Sequence, residues 1–399
     1  MIIFEFREGQ IVRAFRVRLP DGTAYWTVLD DELNVVRAAD EYLRQVRFGE
    51  NGAESTTKSY AGAIALYLAW CLRTNRRWAD AGAFMGLFMT WLKHVPRGLG
   101  RLGGAEVLAG PGQKPVRGER RINVVLSAVR GFLMHGVRSG LVATSIVPAL
   151  YDVSDSRDLP EEARLEGGEM FHRLKARHRM QVPKRPVDRA SDEEIVAMLK
   201  ACRSARDRLI LLLMARAGLR RGEVVGLRRE DIHFLMDSSP LGCLIPRSHL
   251  HVVRRQNVNG AWAKSIHSKP MPVDFLLVRA YDQYVFERAT VPAAQDSDFV
   301  LVTLFREPVG APMPPGAIND LVTRLEKRAG LTRHIKPHMC RHAFGSNVAD
   351  AGGTWEEVSE LLRHEDPGSA AVYMHPSEAR LREAVERVPS PRGIEEIVR

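Results

Sequence analysis

Six side chains that can hold an anion and move protons around it occur in a fixed order along the second half of this sequence. Arg220 stands in the run Ala217-Gly218-Leu219-Arg220-Arg221-Gly222-Glu223, and Lys264 opens the run KSIHSKPMP. His338 and Arg341 share Pro337-His338-Met339-Cys340-Arg341-His342. His364 closes Leu361-Leu362-Arg363-His364, and Tyr373 follows nine positions later. Guanidinium groups stay charged at every working pH and bind anionic oxygens through paired hydrogen bonds. A phenol has a pKa of about 10, so near neutrality it is a weak nucleophile that needs a base or a positive field beside it. Taken singly, each position is ordinary: an arginine after a glycine turn, a solvated lysine, a helix-end histidine, a core tyrosine. Their conjunction in this order is what points to chemistry.

This ordered set resembles the tyrosine recombinase (phage integrase) family, whose active site runs Arg, Lys, His-x-x-Arg, His or Trp, and Tyr. The resemblance spans 191–380. The helical segment 55–150 is similar to the family's core-binding domain. The run QNVNGA at 256–261, just ahead of Lys264, is similar to site-specific transposases of the family. Carried over position by position, the catalytic set is Arg220, Lys264, His338, Arg341, His364 and Tyr373. The resemblance implies attack of the tyrosine oxygen on a DNA phosphodiester, forming a 3′-phosphotyrosyl link and releasing a 5′-hydroxyl. Arg220 and Arg341 would clamp the non-bridging oxygens, and His364 would add a third donor. His338 would accept or relay the phenol proton. Lys264, its pKa lowered by neighbouring cations, would protonate the leaving oxygen, with Lys269 as the alternative. Glu223 would orient Arg220 or His338. The bond energy stays in the phosphotyrosine, so no metal, ATP or other cofactor is expected.

The resemblance also implies double-stranded DNA as partner, bound by four protomers on two sites. The chain would be a monomer or dimer in solution, and accessory recombination proteins are compatible with this reading. Three departures stand out. Arg363 occupies the place where the family usually has Gly. Met339-Cys340 replaces an acidic-apolar pair. The stretch 234–263 is longer than a tight hairpin needs. None removes a catalytic atom, so an active integrase- or transposase-type recombinase is expected. The rival expectations are a type IB-like topoisomerase, which nicks, relaxes and reseals, and a catalytically silent architectural DNA-binding protein.

The elements that must position these residues follow from patterning. Residues 1–30 alternate apolar and polar around Pro20-Asp21-Gly22, as a small β segment with a hairpin does. Residues 31–150 read as a helical, SAM-like core-binding domain: Ser55-Thr56-Thr57 can cap a helix striped by Tyr60, Ile64, Leu68 and Cys71. A glycine-rich basic loop interrupts it from 97 to 119. Residues 151–188 read as a basic linker whose Lys175, Arg177, Arg179, Lys184 and Arg185 can lie along a phosphate backbone. The catalytic domain, 189–385, opens at the capping box Ser191-Asp192-Glu193-Glu194. It continues through a buried helix over 209–214 that stops at Gly218. From 232 to 275 the pattern is strand-like, punctuated by Gly242, Asn259-Gly260 and Pro270. The C-terminal tail covers 386–399. The fold class expected is mainly α with a small antiparallel β-sheet near Lys264, the helical and catalytic domains closing on DNA as a C-shaped clamp.

Composition agrees. The 399 residues carry 58 Lys+Arg against 48 Asp+Glu, a net charge of +10 that favours an anionic partner. Cys71, Cys202, Cys243 and Cys340 form no CxxC pair and suit neither a zinc site nor a disulfide framework, so reduced thiols and a cytoplasmic location are expected. No apolar run approaches the roughly 18–20 residues that span a bilayer. The N-terminus MIIFEFREGQ carries two acids and lacks the order of a signal peptide.

Overall fold

A computed structural model of the chain describes residues 12–94, 115–154, 173–183, 187–263 and 268–364, together with Tyr373, Arg382 and Glu386. Lys184, Arg185, Lys264, residues 1–11 of the expected β segment, most of the glycine-rich loop and the tail beyond 386 lie outside the described residues. The chain divides into two units, Met1–Lys184 and Arg185–Arg399.

The first unit begins with an antiparallel hairpin, β1 (Arg13–Arg18) and β2 (Ala24–Leu29), closed through Pro20-Asp21-Gly22. Gly22 takes φ +83° and donates its N–H to the Leu19 carbonyl at 2.9 Å, a conformation that favours glycine. Strand β2 buries Tyr25, Val28 and Leu29, whereas β1 turns Arg13 and Phe15 to solvent. Val28 enters the same core as the helices, so this hairpin is part of the helical unit. The helices are α1 (Arg37–Arg44), α2 (Glu54–Arg73), α3 (Trp78–Ala81), α4 (Met85–His94), α5 (Glu119–Arg138) and α6 (Val147–Leu150). Ile64, Leu68 and Cys71 of the expected stripe are buried and meet Leu126, Val129 and Leu133 of α5. Helix α2 starts one residue earlier than its expected cap, with Ala53 at the N-cap and no side-chain capping bond. The Thr57 hydroxyl instead accepts from the Trp26 N–H at 3.2 Å and donates to the Glu54 carbonyl at 2.8 Å, tying the hairpin to the helix.

The expected linker is structured where it is described. Strand β3 (Tyr151–Ser154) pairs antiparallel with β4 (Arg173–Ala176). Beyond β4 the chain stays on α5: Arg130 donates to the His178 carbonyl at 2.9 Å, and Asn123 exchanges two hydrogen bonds with Met180. Residues 173–180 are therefore held on the first unit instead of forming a free tether.

The second unit is built around α8 (Ala205–Ala215), whose run from Leu209 to Ala215 is apolar on every side, as a core helix requires. It packs against α7 (Asp192–Lys200), α10 (Phe275–Ala289) and α12 (Pro337–Asp350), with α9 (Arg221–Gly226), α11 (Pro315–Arg328) and α13 (Trp355–Leu361) completing the helical set among the described residues. The capping box at Ser191 is formed: its Oγ accepts from the Glu194 N–H at 3.2 Å, and its own N–H donates to Glu194 at 2.8 Å. A three-stranded antiparallel sheet runs β5 (Ile232–His233), β6 (His249–Val252), β7 (Lys269–Pro272). Pro270, expected as punctuation, lies inside β7. That strand is at an edge, where a missing N–H costs no ladder bond. The fold is thus mainly α with small antiparallel sheets.

Candidate active site

The site is assembled where the chain leaves α8. Gly218 takes φ +60°, and a Cβ there would come within 2.5 Å of the Phe344 ring and 3.2 Å of Leu362. Both the left-handed turn and the close approach of α12 and α13 therefore depend on this glycine. The turn presents the Gly218 carbonyl inward, where it accepts from Arg341 and, at 3.3 Å, from Arg363. Arg220 follows as the N-cap of α9. Gly222, on the first turn of α9, brings that helix against the segment leading to Lys264; a Cβ there would meet the Trp262 carbonyl at 2.7 Å. Asn259, from the QNVNGA run, secures the same contact by donating to the Val225 and Met313 carbonyls at 3.0 and 2.7 Å.

Glu223 is the centre of this arrangement. It is 3% exposed, accepts from Arg220 Nη1 at 2.7 Å and from Arg363 Nη2 at 2.8 Å, and lies 3.8 Å from Arg341. Burial alone would raise its pKa. Arg363, Arg220 and Arg341 outweigh burial and hold it at about 2. Burial, and next Arg220, pull the Arg341 guanidinium down to about 9 against the attraction of Glu223, so it stays cationic near neutrality. Three guanidiniums around one carboxylate leave a net positive hub. Sequence reasoning assigned Glu223 to Arg220 or His338; the structure places it on Arg220, Arg341 and Arg363.

Arg363 turns inward. It stands at φ +52° just past α13, where the Arg363 N–H donates to the Glu360 carbonyl and the His364 N–H to the Ser359 carbonyl. This is the helix-ending motif in which glycine is usual. An L side chain in that conformation costs about 1–2 kcal/mol, and the buried bonds from Arg363 to Glu223, Gly218 and Leu361 offset it.

Helix α12 carries the second half of the site. His338, Arg341 and His342 sit at i, i+3 and i+4, hence on one face. Arg341 is 1% exposed and donates to the Gly218 and Leu362 carbonyls. The Tyr373 hydroxyl lies 2.6 Å from His342 Nδ1, and the rings of His338 and His342 meet edge-on at 4.2 Å. Burial, then His338 and Arg341, bring His342 down to about 4, so the imidazole is neutral and the phenol donates to it. Burial also raises the Tyr373 pKa, opposed by Arg341 and Arg220. Gly345 makes room for Tyr373, since a Cβ there would lie 3.0 Å from its ring. His364 stacks on the same ring at 6.1 Å. The residue that sequence reasoning left aside is thus His342. Its spacing from His338 was the available signal.

A cleft of about 490 Å³ opens on this hub, lined by Arg220, Arg221, Lys336, His338 and Arg341 among others. The N-termini of α9 and α12 both border it, and the positive ends of their dipoles favour an anion. Lys269 is ion-paired with Glu360 at 2.6 Å. Cys340 is fully buried and burial pushes its thiol up to about 12, as an unreactive packing group requires. Among the linker cations, Lys175, Arg177 and Arg179 are all exposed, and Arg177 also donates to the Pro148 carbonyl at 3.1 Å and lies 3.7 Å from Asp152.

Residues 188–380 match the model of the phage integrase family. This stretch is a phage integrase domain, the domain of the tyrosine recombinases. The chain is 26% identical over 348 residues, 85% of its length and 87% of the relative's, to transposase A from transposon Tn554 of Staphylococcus aureus. It is 28% identical to tyrosine recombinase XerC of Bacillus pumilus over 177 residues, 44% of this chain and 52% of XerC. Its fold is similar to the crystal structure of the XerH site-specific recombinase bound to a palindromic difH substrate, with a TM-score of 0.51, 15% identity and 88% of both chains covered. No helix among the described residues is long and apolar enough to cross a membrane.

Proposed function

We propose that this tyrosine recombinase, a site-specific enzyme that cuts and rejoins DNA, holds the scissile phosphate in the cleft between α9 and α12 and attacks it with Tyr373. The observation that carries this reading is the convergence of Arg220 and Arg341 on one buried carboxylate, with the Tyr373 hydroxyl held on the same face of α12. Arg220 and Arg341 bind the non-bridging oxygens and stabilise the charge that builds on them. His338, exposed at the cleft, donates to the same phosphate. His364 orients the phenol by stacking.

The Tyr373 oxygen forms a bond to phosphorus, the bond from phosphorus to the 5′-oxygen breaks, and the phenol proton passes to His342. A phosphodiester in the cleft offsets the cations that depress His342, so the substrate itself raises the basicity of the group that receives the proton. Lys264 delivers a proton to the departing 5′-oxygen; the Glu360 pairing of Lys269 supports Lys264 in that role. Attack by a 5′-hydroxyl on the phosphotyrosine reverses these steps and rejoins the strand. The phosphoryl transfer draws on neither a metal nor ATP. Four protomers act on two duplex sites in the cytoplasm, and the transposase of Tn554 makes transposon insertion or excision the reading to test first.

The test is strand exchange. The purified chain is incubated with two labelled duplexes carrying the junction sequences that flank its gene. Recombinant products joining the two labels support the reading. Relaxation of supercoiled plasmid with no joined product supports the topoisomerase alternative.

A further inference from the structure

We infer that the catalytic unit holds one structural zinc ion on His233, Cys243, His249 and His251. The inference rests on the sheet and stands apart from the active-site reading. Strands β5 and β6 pair His233 with His249. His251 lies two residues further along β6, on the same face, because strand side chains alternate. The other face gives Leu250, Val252 and Met271 to the core. Three imidazoles therefore share the face that the core does not use, with ring centroids 4.7–5.0 Å apart.

The long segment 234–248 returns over this face. It passes through a short turn at Ser239–Leu241 and then Gly242, at φ +75°, which swings Cys243 onto the imidazoles. The Cys243 Sγ lies 3.4 Å from His249 Nε2 and 3.6 Å from His251 Nε2. One ligand atom from each of the four residues falls within 4.8 Å of all the others. A tetrahedral zinc with bonds of about 2.3 Å to sulfur and about 2.0–2.1 Å to nitrogen has ligand edges of roughly 3.3–3.6 Å. The two distances from Cys243 already match that figure, and the remaining pairs lie within 4.8 Å.

The outer hydrogen bonds set the rings as a metal needs them. His249 Nδ1 lies 2.7 Å from the Arg247 carbonyl, which leaves Nε2 toward the thiol. His233 Nε2 lies 3.1 Å from the Glu230 carbonyl. The other nitrogen of His233, Nδ1, is buried without a hydrogen-bond partner on a residue only 7% exposed. A ring N–H given to a backbone carbonyl, with the remaining lone pair turned inward, is the usual support of a metal-bound histidine. Without a metal the same geometry strands a buried nitrogen, which is costly. One thiolate and three imidazoles in a closed tetrahedral set suit zinc, and four protein donors leave no position for substrate. The ion would fasten 234–248 to the sheet whose strands β6 and β7 bracket Lys264. The cysteine spacings hide it because one cysteine takes part, and the histidines come from two strands.

The test uses the full chain without a histidine tag. Wild-type protein, dialysed after exposure to zinc, is expected to hold one zinc per chain by mass spectrometry. Cys243→Ser and His249→Ala should fall to a small fraction of that. Cobalt(II) in place of zinc should give the visible absorption of a tetrahedral site with a thiolate charge-transfer band that Cys243→Ser abolishes. A wild-type chain with no stoichiometric metal, a cobalt spectrum without the thiolate band, or equal metal in wild type and variants overturns the inference. The wild-type spectrum decides it even if a variant fails to fold.

Discussion

Tyr373 donates to a neutral His342, and both groups sit beside Arg341. Proton transfer of this kind contributes typically 10²–10⁴-fold. His342→Ala is accordingly expected to slow covalent cleavage by about 10²-fold or more while leaving DNA affinity unchanged; a near wild-type single-turnover rate would assign the proton to another group. The pH dependence has a definite sign. His342 titrates near 4 in the folded chain against an ordinary 6.5, so the unfolded chain binds more protons between those values. Its contribution to stability is complete above about pH 6.5 and declines as the pH falls toward 4. Glu223, held at about 2 against 4.5, loses its contribution as the pH falls from 4.5 to 2. Removing it altogether strands three buried or half-buried arginines. Glu223→Ala is expected to destabilise the catalytic unit by about 3–5 kcal/mol, read in urea unfolding; unchanged stability would mean that the arginines are solvated elsewhere. The order and gaps in the sequence singled out Arg220, His338, Arg341, His364 and Tyr373, which the fold brings to one place. His342 and Arg363 were not among them. A histidine beside an arginine is ambiguous until a phenol is found on it, and nothing in the residue type shows that Arg363 turns inward at a left-handed helix end.

At the level of elements, three glycines let the site close: Gly218, Gly222 and Gly345. Gly218→Ala would force a left-handed alanine, costing about 1–2 kcal/mol, and overlap with the Phe344 ring, costing about 1–3 kcal/mol. A loss of roughly 2–5 kcal/mol is expected, visible as a lower melting temperature and a slower cleavage rate. An unchanged melting temperature would show that α12 does not approach Gly218 so closely. The helix pattern at 191–214 was readable since a reciprocal capping box and a continuous apolar run are strong local signals. Ser55-Thr56-Thr57 misled because Thr57 serves the hairpin, a partner 31 residues away. The extent of the linker misled for the same reason: its basic composition looks like a tether, yet Asn123 and Arg130, some fifty residues earlier, bind its backbone.

For the whole molecule, the charge of +10 fits an anionic partner, and the division between Lys184 and Arg185 falls within 151–188. Lys175 and Arg179 are exposed cations of β4 and its exit. Each of Lys175→Ala and Arg179→Ala is expected to reduce the slope of log affinity against log salt by about 0.9 if it neutralises one phosphate. Arg177→Ala, already paired with Asp152, should change the slope less. Equal slopes for all three variants and wild type would remove this segment from the interface. Target choice was not legible at this scale, because base contacts depend on which side chains enter the grooves.

The most direct measurement is covalent trapping by the nucleophile. Wild type and Tyr373→Phe are incubated, without added magnesium or ATP, with plasmid carrying the junction DNA and stopped with detergent. We expect a 3′-linked protein–DNA adduct with wild type alone, and equal DNA binding by both proteins. An adduct that persists in Tyr373→Phe, or specific binding by wild type that never yields one, would contradict the assignment of Tyr373 as the attacking group.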